Sequence, residues 1–387
     1  MREYLDISNI GCIDNLRNAP YDDGRAITQD GKEVTVEVMD RMTSETARSG
    51  RTLMFAEARE SGEAVGRLLE ANEAAIERVG HRLRSLSPIL SVTCGRGSSG
   101  HAGTFAKYLF ESLAGVPTAA AALSMASLYR TTPVPSTSLC LAISQSGRSP
   151  DLLATVEAQR RAGAYVVALV NQPDSPLAGI ADETLLLEAG AERSVAATKS
   201  FITSLAGVAA ITAAWTGDTA LADGVRELPT LLPRAFDLDW SPALPMLAEA
   251  SSLFVIGRGY GLGVVREMAL KLQETAAIHA EAFSSAEVKH GPMALVRDGF
   301  PVFAFAGSGV SGDDVRATAS LFDTRGAKVH LADVENADGA LPAIAAHPAI
   351  EPILAIQAFY RLANQVAVTR GLDPDNPPFL AKVTQTR

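Results

Sequence analysis

The run Ile89-Leu90-Ser91-Val92-Thr93-Cys94 leads into Gly95-Arg96-Gly97-Ser98-Ser99-Gly100, and the run Ser252-Leu253-Phe254-Val255-Ile256 leads into Gly257-Arg258-Gly259-Tyr260-Gly261. Each is a short apolar strand, a glycine-rich turn and then a helical segment, one reaching Phe110 and the other Glu274. Gly95 and Gly257 stand 162 positions apart. Leu139-Cys140-Leu141-Ala142-Ile143 before Ser146-Gly147 matches Val302-Phe303-Ala304-Phe305 before Ser308-Gly309 at the same offset. Ala162-Gly163-Ala164 before Tyr165-Val166-Val167-Ala168-Leu169 matches Arg325-Gly326-Ala327 before Lys328-Val329-His330-Leu331 at 163. Three landmarks at one spacing make the chain two copies of one strand–loop–helix domain. The strands are unbroken apolar runs, not alternating ones. Such strands are covered on both faces, so each copy is expected to be a parallel sheet between layers of helices.

Outside these landmarks, residues 52–86 carry Leu53, Val65, Leu68, Ile76, Val79 and Leu83 at helical spacing, which predicts one or two leading helices. With them the first copy takes 52–225, and the second takes 245–387. Pro229, Pro233, Asp237, Asp239, Ser241 and Pro242 mark the boundary between copies, near 217–245. Residues 1–51 are polar, show no sustained period and carry the turn signals Asp22-Asp23-Gly24 and Gln29-Asp30-Gly31; they read as an extension, partly ordered at best.

The 387 residues are 47% hydrophobic and 20% charged, which excludes global disorder. The 34 basic and 44 acidic residues leave a net charge of -10, so a general nucleic-acid binder is not expected. Cys12, Cys94 and Cys140 form no CxxC pair and lie far apart in sequence, which points to neither a disulfide framework nor a zinc site. The N-terminus lacks an apolar signal core, and the longest weakly polar run, Ile202 to Trp215, is too short to span a bilayer. A cytoplasmic protein without membrane or nucleic-acid partners is expected.

In open parallel sheets ligands bind beyond the carboxyl ends of the strands. Ser144-Gln145-Ser146-Gly147-Arg148-Ser149 occupies such an end, with Ser149 suited to an N-cap and Pro150 to the first helical position. Free backbone N–H groups and three hydroxyls there make a phosphate cradle, or simply a serine-capped turn. The matching loop Ala306-Gly307-Ser308-Gly309-Val310-Ser311 lacks the glutamine and one hydroxyl, so of the two it is the first that should bind. Gly97 and Ser98 offer backbone and hydroxyl groups at a neighbouring strand end. Gly95, Gly97 and Gly100 satisfy GxGxxG, but no acidic residue closes a second strand about 20 residues later, so a dinucleotide cofactor is not expected. Glu267, Lys271 and Glu274 fall on one face of a helix that is otherwise apolar, where a solvated ion-pair face is the bland alternative. Lys382, in Phe379-Leu380-Ala381-Lys382-Val383, is either a snorkelling chain-end lysine or a nucleophile.

At these residues the chain resembles the double sugar-isomerase-domain (SIS) family, over roughly 52–387. The motifs are Ser144-Gln145-Ser146-Gly147, Ser194-Val195-Ala196-Ala197-Thr198-Lys199, Glu267 through Glu274, Ile278-His279-Ala280-Glu281, Glu287-Val288-Lys289-His290-Gly291-Pro292 and Leu380-Ala381-Lys382. The resemblance is to the isomerase half of glucosamine-6-phosphate synthases and to second-type glucosamine-6-phosphate deaminases. It implies an α/β fold of two tandem SIS domains, each a flavodoxin-like three-layer sandwich. Residue 2 is Arg2, not the cysteine nucleophile of a glutaminase domain, and the loop Gly147-Arg148-Ser149-Pro150 looks like the deaminase branch. Both point to release of ammonia from an amino-sugar phosphate.

The resemblance assigns roles residue by residue. Ser144, Gln145, Ser146 and Ser149 match the phosphate loop, and Gly97, Ser98, Ala197 and Thr198 further substrate contacts; Ala197 stands where synthases usually have serine. Glu274 matches the acid/base between carbons 1 and 2, with Lys271 beside it and Glu267 ahead of it. His290 matches the ring-opening histidine, which family dimers supply from the neighbouring subunit, and Lys382 the lysine that can form a Schiff base. A homodimer with shared sites is therefore expected. No metal or cofactor is required, because proton transfer through an enolamine replaces Lewis-acid polarisation. The alternatives are an enzyme for another amino-sugar or fructosamine phosphate, or a sugar-phosphate sensor without catalysis.

Overall fold

The computed structural model describes residues 21–22, 25–27, 33–35 and 49–382. Most of the 1–51 extension, Cys12 and Val383 lie outside the described residues. Within the extension, β1 (Tyr21–Asp22), β2 (Arg25–Ile27) and β3 (Glu33–Thr35) pair as a small antiparallel sheet.

Two helices lead the body, α1 (Leu53–Arg59) and α2 (Ser61–Leu86). The first copy follows as β4 (Leu90–Cys94), α3 (Ser98–Leu113), β5 (Thr118–Ala120), α4 (Ser124–Ser127), β6 (Ser138–Ser144), α5 (Pro150–Arg161), β7 (Tyr165–Val170), α6 (Pro176–Ile180), β8 (Glu183–Leu186) and α7 (Lys199–Thr216). After α8 (Thr219–Phe236) and α9 (Leu244–Glu249), the second copy runs β9 (Ser252–Gly257), α10 (Gly261–Ala276), β10 (His279–Ser284), β11 (Pro301–Ala306), α11 (Gly309–Asp323), β12 (Lys328–Asp333), β13 (Leu341–Pro342) and α12 (Glu351–Thr369). The sheet orders are β5-β4-β6-β7-β8 and β10-β9-β11-β12-β13, and every pairing in both is parallel. Numbered within each copy, both read 2-1-3-4-5, the flavodoxin-like order, with the switch point between the first and third strands. The expected repeat of two parallel, helix-covered sheets is what the chain forms.

Alternation along the strands explains the layers. Leu139, Leu141 and Ile143 of β6 join one core with Val255, Phe303 and Phe305 of the second sheet and with α2, α3, α7, α10 and α12. Cys140 and Ala142 point to the opposite face, under α5 and α6, and Phe254, Ile256 and Val302 lie under α11. The two sheets thus share a central helical layer. Helix α7, the apolar run seen in the sequence, is buried nearly all round within it.

Two features depart from the sequence reading. The proline-bearing boundary forms the continuous helix α8, with Pro229 and Pro233 inside it and Asp218 capping it through the Leu221 N–H at 3.0 Å. Its apolar face, with Leu221, Val225, Leu228 and Leu232 buried, outweighs the amide bonds that the prolines delete. Gly62 of α2 permits the contact, since a Cβ there would lie 2.9 Å from the Pro229 carbonyl oxygen. Cys94 and Cys140, far apart in sequence, meet on adjacent strands with their sulfurs 3.8 Å apart, as buried free thiols. No described helix is long and apolar enough to cross a membrane.

Candidate active site

The loops after β4 and β6 flank the first copy's switch point. In the β6 loop, Ser144 Oγ accepts the Gly147 N–H at 3.0 Å, which folds the loop back on itself. Gly147 has φ 63°, and a Cβ there would meet Ser175 Oγ at 2.5 Å, so glycine is required on both counts. Ser149 takes extended backbone angles at the start of α5 and makes no side-chain cap, while Pro150 opens the helix. The Ser146 and Ser149 hydroxyls have no hydrogen-bond partner among the described residues, so both donors remain for a ligand. Asp151, fully buried, is neutralised by Arg96 of the β4 loop at 2.6 Å, which clamps the two loops together.

The second copy's loop is closed. The Ser308 N–H donates to Glu351 Oε2 at 2.7 Å, and the Ser308 hydroxyl donates to Glu351 Oε1. The Ala346 N–H adds a third donor at 3.3 Å. A carboxylate of the chain itself therefore takes up the Ser308 donors, whereas the first copy's loop has no such partner among the described residues.

The helix charges are not a solvated face. Glu267 and Lys271 are fully buried, and Glu274 keeps 23% of its side-chain exposure. Lys271 Nζ lies 3.2 Å from Glu267 Oε1 and 2.5 Å from Glu274 Oε2. The first copy closes the group: Ser98 Oγ donates to Glu267 Oε1 at 2.9 Å, and His101 Nδ1 lies 2.9 Å from Glu267 Oε2. Burial opposes the Glu267 charge, but Lys271, His101 and Ser98 hold its pKa below the ordinary value. Burial likewise works against the Lys271 ammonium, and the two carboxylates reverse it and push its pKa up. The Tyr360 hydroxyl of α12 is buried without hydrogen-bond geometry to a neighbour; burial, then the charges of Glu267, Glu192 and Glu274, raise its pKa.

Lys382 belongs to an adjoining group. Its Nζ lies 2.9 Å from Glu192 Oε2 and 2.8 Å from the Ser194 carbonyl. Burial disfavours the Glu192 charge, but Lys382 and donors from Thr198 and Ser200 hold its pKa low. The Thr198 hydroxyl is buried and unpartnered, and Ala197 is half-buried beside it. Leading helix α1 fixes this loop: Glu57 accepts the Arg193 and Ser194 N–H groups at 2.5 and 3.2 Å. The tail reaches the loop because Asp375 caps α1 through the Leu53 and Met54 N–H groups, at 2.8 and 2.7 Å.

His290 stands apart. It is exposed at the end of the 3-10 turn Glu287–His290 and makes no hydrogen bond or ion pair among the described residues. Its turn is anchored by Lys289 Nζ, 3.2 Å from Asp314 Oδ1, a carboxylate also held by Arg258 at 2.5 Å and by the Ser285 hydroxyl. Burial resists the Asp314 charge, and these donors still bring its pKa down to about 2.

The structure therefore gathers Ser98, Glu267, Lys271 and Glu274 into one cluster and Thr198 and Lys382 into a second. Ser144, Gln145, Ser146 and Ser149 share the switch-point loop, and Gly97, with φ 52°, precedes Ser98 at the turn into α3. Sequence reasoning missed His101, Glu192 and Tyr360. His101 had a signal, since the 162-residue offset aligns it with Gly263, one helical turn before Glu267. A polar cleft of ≈ 340 Å³ lined by Glu249, Arg297, Asp298 and Lys328 opens at the amino ends of β9, β11 and β12, at the opposite edge from these loops. No group of acidic, histidine or cysteine side chains among the described residues is arranged to hold a metal ion.

Comparisons with known proteins agree with the fold of two tandem domains. The model of the SIS domain matches residues 92–214 and 246–346. The isomerizing glutamine–fructose-6-phosphate aminotransferase of Halobacterium salinarum is 32% identical over 98% of this chain and 66% of its own length. The chain spans between half and two thirds of the length of the curated relatives it matches. A Silicibacter pomeroyi structure, provisionally assigned as a phosphosugar isomerase, is 38% identical with TM-score 0.80, over 84% of this chain and 100% of that one. The C-terminal domain of the Francisella tularensis glucosamine-fructose-6-phosphate aminotransferase is 28% identical with TM-score 0.74, over 84% and 98%.

Proposed function

We propose, from the premise that this chain belongs to the SIS-domain family, that it is an enzyme that deaminates a phosphorylated amino sugar, converting glucosamine 6-phosphate and water to fructose 6-phosphate and ammonia. The observation that carries this reading is the buried Glu267–Lys271 pair, which extends to the part-exposed Glu274 carboxylate and is tied by Ser98 to the loop after β4, beside a serine loop whose Ser146 and Ser149 hydroxyls are unspent. In this reading Ser144, Gln145, Ser146 and Ser149 hold the phosphate, aided by the amino end of α5. Thr198 and the backbone at Ala197 line the sugar.

Glu274 then takes the proton from carbon 2 of the open amino aldose and returns it to carbon 1 while a proton passes from nitrogen to oxygen 1 through the enolamine, leaving a ketimine at carbon 2. Lys271 holds Glu274 in place and keeps the buried Glu267 charge compensated. His290 of the second protomer opens the ring, a proton shuttle near neutral pH that suits imidazole. The exposed position of that turn suits a two-fold interface. The loop Gly147-Arg148-Ser149-Pro150 supports deamination over synthesis, through its likeness to the deaminase branch. The test is ammonia release from a panel of hexosamine and fructosamine 6-phosphates. Turnover highest on glucosamine 6-phosphate is expected, and no ammonia from any of them would overturn the reading.

A further inference from the structure

One titratable group in the cluster has no role in the chemistry above. Glu267 and Lys271 are sealed from solvent, and the two members that reach it are Glu274 and His101, each with 23% side-chain exposure. His101 comes from the other copy. Helices α3 and α10 cross in close contact, and a Cβ on Gly263 would lie 2.7 Å from the His101 carbonyl oxygen and 2.9 Å from the Phe105 nitrogen. Only glycine at 263 lets the first turn of α3 settle on α10, and this puts the imidazole on Glu267. The Glu267 carboxylate, 2.9 Å from Nδ1, can only accept, so Nδ1 is the donor to it and Nε2 is the ring nitrogen left for proton transfer. Nε2 has no hydrogen-bond partner among the described residues. The groups facing the ring are Glu267 and, through it, Ser98 and Lys271.

We propose that His101 is a second acid/base of this site and that it serves the carbon–nitrogen step. The proposal rests on the amino-sugar deamination above. Glu274 ends its transfer with a ketimine at carbon 2, which must still exchange nitrogen for oxygen. Water adds to carbon 2 as the carbon–nitrogen π pair moves to nitrogen, and His101 Nε2 takes the water proton and hands it to that nitrogen, giving a neutral carbinolamine. The carbinolamine then collapses: His101 takes the proton of its hydroxyl as the carbonyl forms, the carbon–nitrogen bond breaks with its pair on nitrogen, and His101 passes that proton to the nitrogen, which leaves as ammonia. No oxidant or reductant enters.

The test separates the two halves of the reaction. His101→Asn keeps an N–H for Glu267 but removes the base. Ammonia release and exchange of the carbon-2 hydrogen of glucosamine 6-phosphate are followed together in deuterated water, by enzymatic assay and NMR. The expected result is a loss of about 10²–10⁴-fold in ammonia release, as for other acid/base groups, with carbon-2 exchange near the wild-type rate. Equal loss of both activities, or retention of both, would overturn the assignment. His101→Gln, which places its amide near the Nε2 position, gives the same readout if the asparagine variant melts early. Wild-type protein that neither exchanges nor releases ammonia would instead refute the deaminase reading itself.

Discussion

At the scale of single residues, Glu274 and Glu267 are two carboxylates seven residues apart with different work. Glu274 reaches solvent and Glu267 does not. Glu274→Gln keeps the shape and removes the base, so ammonia release should fall by about 10²–10⁴-fold. Because Lys271 keeps Glu267, the fully buried partner, the melting temperature should fall less than in Glu267→Gln, with sugar-phosphate binding close to wild type; turnover near wild type would remove the assigned role. Glu267→Gln should act on stability instead, because it leaves the buried Lys271 with one partner, at a cost of about 3–5 kcal/mol. The pH dependence follows from the two shifts. The folded pKa of Glu267 lies below its ordinary 4.5, so its contribution is present above that value and is lost as pH falls through the folded pKa. Lys271 is raised above 10.5, so its contribution is complete below 10.5 and is lost as pH rises through the folded pKa. Urea melts at pH 7 should separate wild type from Glu267→Gln, and the gap should narrow as the pH falls below 4.5 and through the folded pKa of Glu267. A constant gap would contradict the buried pair.

At the scale of elements, the repeated loop has two fates. The β6 loop keeps the hydroxyls of Ser146 and Ser149, whereas the β11 loop spends Ser308 on Glu351. The double change Ser146→Ala and Ser149→Ala should raise KM for the phosphorylated sugar by tenfold or more, since each charge-assisted bond is worth about 1.5–3 kcal/mol. An unchanged KM would move the phosphate elsewhere. In that double variant, Glu351→Ala should cost about 0.5–1.5 kcal/mol for each hydrogen bond lost from the part-buried Ser308 and Ala346 donors. Added phosphate should then restore part of the melting temperature, and no phosphate-specific recovery would show that the second loop is no anion cradle. The asymmetry was legible in part. The loss of Gln145 and of one hydroxyl at 306–311 could be read, but not Glu351, which arrives from α12 more than 40 residues later. The i, i+4, i+7 spacing gave the α10 triad, because ion pairing on a helix is local. Ser98 and His101 lie 169 and 166 residues from Glu267, and only the crossing of α3 over α10 joins them. Helix α8 was obscured because proline reports a local cost, while the buried face that outweighs it is set by α2 and α12.

At the scale of the whole molecule, the two copies are not two sites. In the reading proposed above, the phosphate loop comes from the first and the acid/base helix from the second, while Ser98 and His101 of the first copy reach Glu267 of the second. The remaining assigned group, His290, points outward on a turn braced by Asp314, so it belongs to an assembly of two chains in the reading proposed above. A two-fold axis makes such an exchange reciprocal and gives each dimer two composite sites. His290→Ala and Glu274→Gln should each be nearly inactive alone. When the two are mixed by co-refolding, half of the dimers are mixed. In each of these, one site holds both defects and the other pairs an intact Glu274 with an intact His290. About a quarter of all sites should therefore recover activity, the fraction set by statistical pairing across a two-fold axis. Recovery should track the mixing ratio and peak at equal amounts. Subunit exchange demonstrated by mass spectrometry with no return of ammonia release would place His290 in its own chain's site or outside the chemistry.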